Sequence, residues 1–286
     1  MSVRKTIADQ ITSQLGVPNG PEIDLRSSTL SVSTSGTESS AHDSRLHEST
    51  ASELPPSAET TQLDPLYVHT QRELDEMFRE MSFHFEGKES EGNWIARDKS
   101  VLKLRRLVKG NAPTEFHNAF MAGIKSLLDG ILKVANSLRT TMSTNGCQLV
   151  QELARALGQG LDSMTEIILQ NFIKMTSNTK SIAAQNGATT VDVVFACVPY
   201  HQRLLQHVFL AAQDKNVQPR AQVATWLRTL IKRHAGHKVQ LEHSGGLELM
   251  EKALGKGLSD ANPKVRENTR GTYWLFAQIW PDRAEM

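Results

Sequence analysis

Along residues 65–286, apolar positions recur three and four residues apart, the rhythm that gathers them on one face of an α-helix. Leu74, Met77, Phe78 and Met81 make one such face, and Val101, Leu104 and Val108 make the next. On another side of that second helix, Lys99, Lys103 and Arg106 repeat. The same spacing predicts helices over 116–138, 145–157, 163–175, 190–198, 201–213, 220–234, 247–258 and 263–280. Strand-like alternation is nearly absent and proline sits at the junctions, so the body is expected to be all-α.

The predicted helices fall in pairs. Their inner loops, centred near Gly92, Thr141, Asn178, Val217 and Asn262, recur about every 40 residues, the period of HEAT-type helical hairpins. In Ser-Asp-Ala-Asn-Pro-Lys-Val-Arg (259–266), Asn262 is placed to cap a helix and Pro263 to occupy its first position, where a missing N–H costs nothing. Residues 214–223 repeat the idea more weakly, with Pro219 and Val223. No hairpin can bury its own apolar face, so about five of them must stack into an α-solenoid. Stacking lines the inner loops along one edge, the natural binding surface.

Two segments precede this body. Residues 21–64 are rich in Ser and Thr, as in 27–40, and lack aromatics, so they are predicted to be a disordered acidic linker and a phosphorylation target. In residues 1–20, Ile7, Ile11 and Leu15 are spaced for one short amphipathic helix, or the remnant of something upstream. A net charge of +1 conceals a split. Residues 1–64 hold four Lys/Arg against nine Asp/Glu, net −5, and the rest holds 28 against 22, net +6. A basic body points to an acidic partner.

Composition removes other classes. The chain is 39% hydrophobic, ordinary for a protein with a real core. No apolar run nears the roughly 20 residues that cross a bilayer, and the N-terminus lacks the apolar stretch of a secretory signal. Two distant cysteines, Cys147 and Cys197, favour a reducing compartment, with the cytoplasm as the default. Catalysis finds little support. No cysteine or acid completes a metal set with His234, His237 and His243. Gly255-Lys-Gly follows no strand and is no phosphate cradle. No enzyme, cofactor or metal is expected.

Trp226, Trp274 and Trp280 lie on apolar helical faces and read as core. Trp94 has two readings. Asn93 can cap the helix while Trp94 closes over its predecessor, or Trp94 can be an interface anchor on the loop edge. The other loops carry Arg139, Lys180, Lys215, Arg220, Lys264 and Arg266, although Arg266 can instead tie adjacent repeats together. Such an edge suits an acidic protein surface. A nucleic-acid binder would need a basic groove with several stacking aromatics, and the loops hold one.

The stretch Phe85-Glu-Gly-Lys-Glu-Ser-Glu-Gly-Asn-Trp-Ile-Ala-Arg-Asp-Lys-Ser-Val-Leu-Lys-Leu-Arg-Arg-Leu resembles the opening of the TOG domain of CLASP-family microtubule-associated proteins. Residues 138–147, 178–185 and 262–274 resemble that domain's later loops, so the resemblance covers roughly 65–286. It implies a stack of about six HEAT repeats that binds αβ-tubulin through its inner loops. The family's sixth repeat is expected to begin about where the chain stops, at Met286. By the same resemblance Trp94 inserts against tubulin and Thr140 and Thr141 match the hydroxyl-bearing second loop. Lys180 matches the basic third loop, Lys215 and Arg220 the fourth, Lys264 and Arg266 the fifth. Microtubule stabilisation, with suppressed catastrophe and promoted rescue, is implied, at the cytoskeleton and mitotic spindle. The partners are αβ-tubulin and microtubules, with no nucleic acid and no membrane, and the isolated domain is expected to be a monomer. The alternative is a HEAT scaffold for another acidic protein or peptide.

Overall fold

The computed structural model describes residues 63–284. The expected helix around Ile7–Leu15 and nearly all of the expected linker lie outside the described residues. Every regular element among the described residues is helical. The long helices are α1 (Gln71–His84), α2 (Trp94–Lys109), α4 (His117–Ala135), α5 (Thr140–Leu157), α6 (Asp162–Met175), α7 (Ser181–Cys197), α8 (Gln202–Ala211), α9 (Val217–His234), α11 (Gly246–Leu258) and α12 (Pro263–Ile279). Short turns α3 (Ala112–Glu115), α10 (Lys238–His243) and α13 (Pro281–Ala284) fill the connections. None of these helices is long and apolar enough to cross a membrane.

The long helices pair as five hairpins and stack in two rows. One row runs α1, α4, α6, α8, α11, and the other α2, α5, α7, α9, α12. A single apolar core runs between them, with Leu74, Leu104, Ile124, Leu149, Phe172, Val191 and Leu227 inaccessible to solvent. The two helices of a hairpin approach closely where side chains are small. A Cβ on Gly146 would lie 2.8 Å from the Cα of Ala135, so α5 rides directly on the backbone of α4.

The second row is cross-linked by polar side chains at every step. Arg105 makes two bonds to Glu152, of 3.0 and 2.9 Å, and a third to Asn145, which in turn donates to Asp98. Asn186 donates to Thr144 and Gln151 to Thr190. Thr229 donates to Asp192, Arg228 to Thr272, and Thr272 to the Ala224 carbonyl. Trp226, fully buried, donates its Nε1–H to the Ala188 carbonyl at 3.1 Å and meets Phe195 edge-on. This ladder fixes the second row in register and therefore fixes the loops at its N-terminal ends.

Several expectations change here. Trp226 and Trp280 are core, but Trp274 is 57% exposed: α12 turns Thr272, Tyr273 and Phe276 inward and leaves the intervening Trp on another side. Asn93 makes no side-chain cap. Its amide group instead accepts from the Ser90 N–H and donates to the Lys88 carbonyl, bracing the loop from within. Helix α5 begins at Thr140 and α7 at Ser181, earlier than the apolar rhythm predicts, because their first two turns pack through Ser143 and Gly146 and through Gly187 and Ala188. Asn262 caps α12 as expected, accepting from Lys264 and Val265, with Pro263 in the first turn.

One buried group makes stability depend on pH. His234 is buried against the Tyr200 ring, and its Nε2 has no hydrogen-bond partner among the described residues. Burial, with Arg233 and His237 nearby, pushes its pKa down from 6.5 to about 4. The native state therefore refuses a proton that the unfolded chain takes up below its own pKa. Stability from this group is complete above about pH 6.5 and is lost as pH falls toward 4, by up to ~3 kcal/mol. Urea unfolding at pH 7 and pH 4.5 should show that loss, and His234→Leu should remove much of it.

Candidate functional site: the edge of inner loops

The five inner loops occupy residues 85–93, 136–139, 176–180, 212–216 and 259–262. Bonds tie the first loop to the second, the second to the third and the fourth to the fifth. Arg139 of the second loop pairs with Glu89 at 2.6 Å and also with Glu91, both in the first loop. The amine of Lys180, in the third loop, donates to the Leu138 carbonyl of the second at 3.0 Å. Arg220, beside the fourth loop, makes a two-pronged pair with Asp260 of the fifth. Burial works to raise the Asp260 carboxyl, but Arg220 and the Asn262 N–H outweigh it and hold the group below the usual carboxylate range.

The first loop is the longest, and a buried arginine organises it. Arg97 is 1% exposed and pairs with no carboxylate among the described residues. Its guanidinium donates to the carbonyls of His84, Glu86 and Gly87 at 2.7–3.0 Å. This plug fixes the start of α2 and with it Trp94. The Trp94 ring is half-buried and rests against the core, and the Arg139 guanidinium lies over it, 5.0 Å from the ring centre. One portion of the ring packs, and the remainder forms a platform with a cation on top.

The two distal loops share one internal device. Arg220 donates to the carbonyls of Asp214 and Lys215, and Arg266 to those of Asp260 and Ala261, each reaching back six and five residues. In both, the acid's side chain accepts the N–H two residues on, and the following Asn caps the next helix. Arg266 therefore secures its own loop, and the tie between adjacent repeats comes from Arg220.

The CLASP N-terminal family matches residues 74–286. The chain belongs to that family. Among curated relatives, Protein STU1 of Phaeosphaeria nodorum is 52% identical over 291 residues, covering 99% of this chain and 23% of the relative. Protein STU1 of Chaetomium globosum is 56% identical over 223 residues, covering 78% of this chain and 20% of the relative. The chain thus spans about a quarter or less of the curated relatives it matches. Among solved structures, a designed armadillo repeat protein in complex with the peptide (KR)4 matches with a TM-score of 0.37 at 14% identity, covering 72% of this chain and 94% of that one.

In this CLASP N-terminal domain the residues singled out from the sequence divide into two groups. Thr140, Thr141, Lys180, Lys215 and Lys264 are exposed on the edge. Trp94, Arg139, Arg220 and Arg266 are partly covered and bonded within it, and Trp94, Thr140, Thr141, Arg220, Lys264 and Arg266 lie in first helical turns rather than in loops. The edge is therefore less cationic than a count of loop residues suggests, since Glu89, Glu91 and Asp260 answer two of its arginines. Sequence reasoning missed Arg97, whose carbonyl partners leave no pattern. It also missed Leu138 and Ile182, two exposed aliphatic side chains beside Lys180. Their signal was a large apolar residue off the buried stripe, at a loop.

Proposed function

We propose that this chain binds αβ-tubulin through its edge of inner loops and acts as part of a CLASP-family microtubule-associated protein. In this reading it stabilises microtubules, suppressing catastrophe and promoting rescue, at the cytoskeleton and the mitotic spindle. The observation that carries it is the alignment of the loops, which puts the Trp94–Arg139 platform at one end and exposed Lys180, Lys215 and Lys264 along the rest. Trp94 supplies apolar contact, Thr140 and Thr141 supply hydroxyls, and the lysines meet carboxylates of the partner. Arg220 and Arg266 act mainly by setting the shape of the loops that present Lys215 and Lys264. No catalysis, cofactor or metal enters.

Trp94→Ala tests this by microtubule co-pelleting and by microtubule dynamics. The expected result is binding weakened about ten-fold or more, as for an aromatic interface anchor. Because the ring is half-buried, stability should fall by only ~1–2 kcal/mol, less than truncation of a core aromatic costs. Equal binding by a folded variant would remove Trp94 from the site.

A further inference from the structure

The second and third loops enclose a groove of about 390 Å³ whose lining includes Ser137, Leu138, Thr140, Lys180, Ser181 and Ile182. Leu138 is 79% exposed and Ile182 is 56% exposed, both large aliphatic side chains on one recess. Neither contributes to the core, so neither is explained by folding. Among the described residues no acidic side chain lines the groove, in contrast to the first loop with its Glu89 and Glu91. One wall is stiff: Ser143 donates to the Ala135 carbonyl, Asn186 to Thr144, and Lys180 to Leu138, all at 3.0 Å or less. The recess is therefore held open as a shape.

We propose that this groove is a second anchor point of the loop edge, taking a large apolar side chain from an acidic partner segment, with Lys180 pairing a flanking carboxylate. The inference rests on the tubulin-binding reading and identifies what the partner must present there. Two features fix the occupant. The groove is continuous with the Trp94–Arg139 platform through Arg139, which follows Leu138 directly and pairs with the first loop. Among the described residues the one charged side chain in its lining is Lys180, so an apolar side chain flanked by an acid fits and one flanked by bases does not. The edge then holds its partner by two apolar contacts set a hairpin apart, with Lys180 beside the second. That spacing supplies orientation as well as affinity.

Salt dependence separates the two kinds of contact. An apolar contact shifts affinity at every ionic strength alike, whereas loss of a cation flattens the dependence on salt. The test measures microtubule binding by the full chain across a salt series for wild type, Leu138→Ser with Ile182→Ser, Leu138→Met, and Lys180→Gln, with circular dichroism to follow folding. Because both aliphatic side chains are exposed, the serine variant should fold like wild type. It should bind about ten-fold more weakly with an unchanged salt slope. Leu138→Met should retain affinity, and Lys180→Gln should flatten the slope. Equal binding by the serine variant overturns the inference, as does an equal loss in the methionine variant. Should the groove instead join two copies of this chain, wild type would sediment as a dimer, the serine variant as a monomer, and microtubule binding would not change. Failure of wild type itself to bind microtubules would overturn the tubulin reading, which the serine variant alone cannot do.

Discussion

Trp226→Ala is expected to lower stability by ~3–5 kcal/mol, the range for truncating a buried aromatic to alanine. The ring is inaccessible to solvent, fills the space between α7 and α9, and packs edge-on against Phe195. Its removal also strands the Ala188 carbonyl, which now accepts from the indole at 3.1 Å. Much of the loss should come as decoupling, because each hairpin of a solenoid is stabilised mainly by its neighbours. Chemical unfolding followed by circular dichroism should therefore show a lower midpoint and a broader transition. A loss under 1 kcal/mol would mean that α7 and α9 collapse onto the cavity, and that the third and fourth hairpins are less rigidly held than their hydrogen bonds imply.

Glu152→Ala should be about as severe and should also reach the binding edge. The side chains of Arg105 and Glu152 are 7% and 18% exposed, joined by two bonds. Removing one member of such a buried pair leaves the other charge uncompensated, at a cost of ~3–5 kcal/mol. Substituting both with well-packed apolar residues should cost far less, which separates the stranded charge from the net value of the pair. The functional consequence follows from placement. Arg105 lies on α2, which begins with Trp94, and Glu152 lies on α5, which follows Arg139. Loosening that tie should shift the cation relative to the indole, so microtubule binding should weaken in a variant whose substitution is far from the edge. Unchanged binding at a temperature where the variant stays folded would show that Arg139 and its glutamates hold the first two loops without help from the helices below.

The five hairpins were legible because long helices such as α4 and α11 carry regular apolar stripes, and because Asn262-Pro263 marks a helix start by simple hydrogen-bond chemistry. Legibility failed where packing used small residues. The second turns of α5 and α7 bury Gly146 and Gly187 against neighbouring backbone, and a glycine contributes nothing to an apolar stripe. Trp274 misled for the opposite reason: a large aromatic looks like core, but its direction depends on one step of helical rotation. The edge was foreseeable as a row of loops. Its electrostatics were not, since the pairing of Arg139 with Glu89 and Glu91 spans about fifty residues and the Arg97 plug binds only carbonyls.

The backward reach of Arg220 and Arg266 has a consequence for variation. In each distal loop the backbone is clasped by an arginine from the following helix, so the conformation is held without any contribution from the side chains of Lys215, at the fourth loop's tip, or Lys264, in the first turn of α12. Lys215 and Lys264 are then free to change identity while the scaffold beneath them keeps its shape. The domain can be treated as a fixed frame with two rewritable letters: acidic, neutral or aromatic replacements there should alter what is recognised and leave folding untouched, which offers a route to engineered partner preference one hairpin at a time.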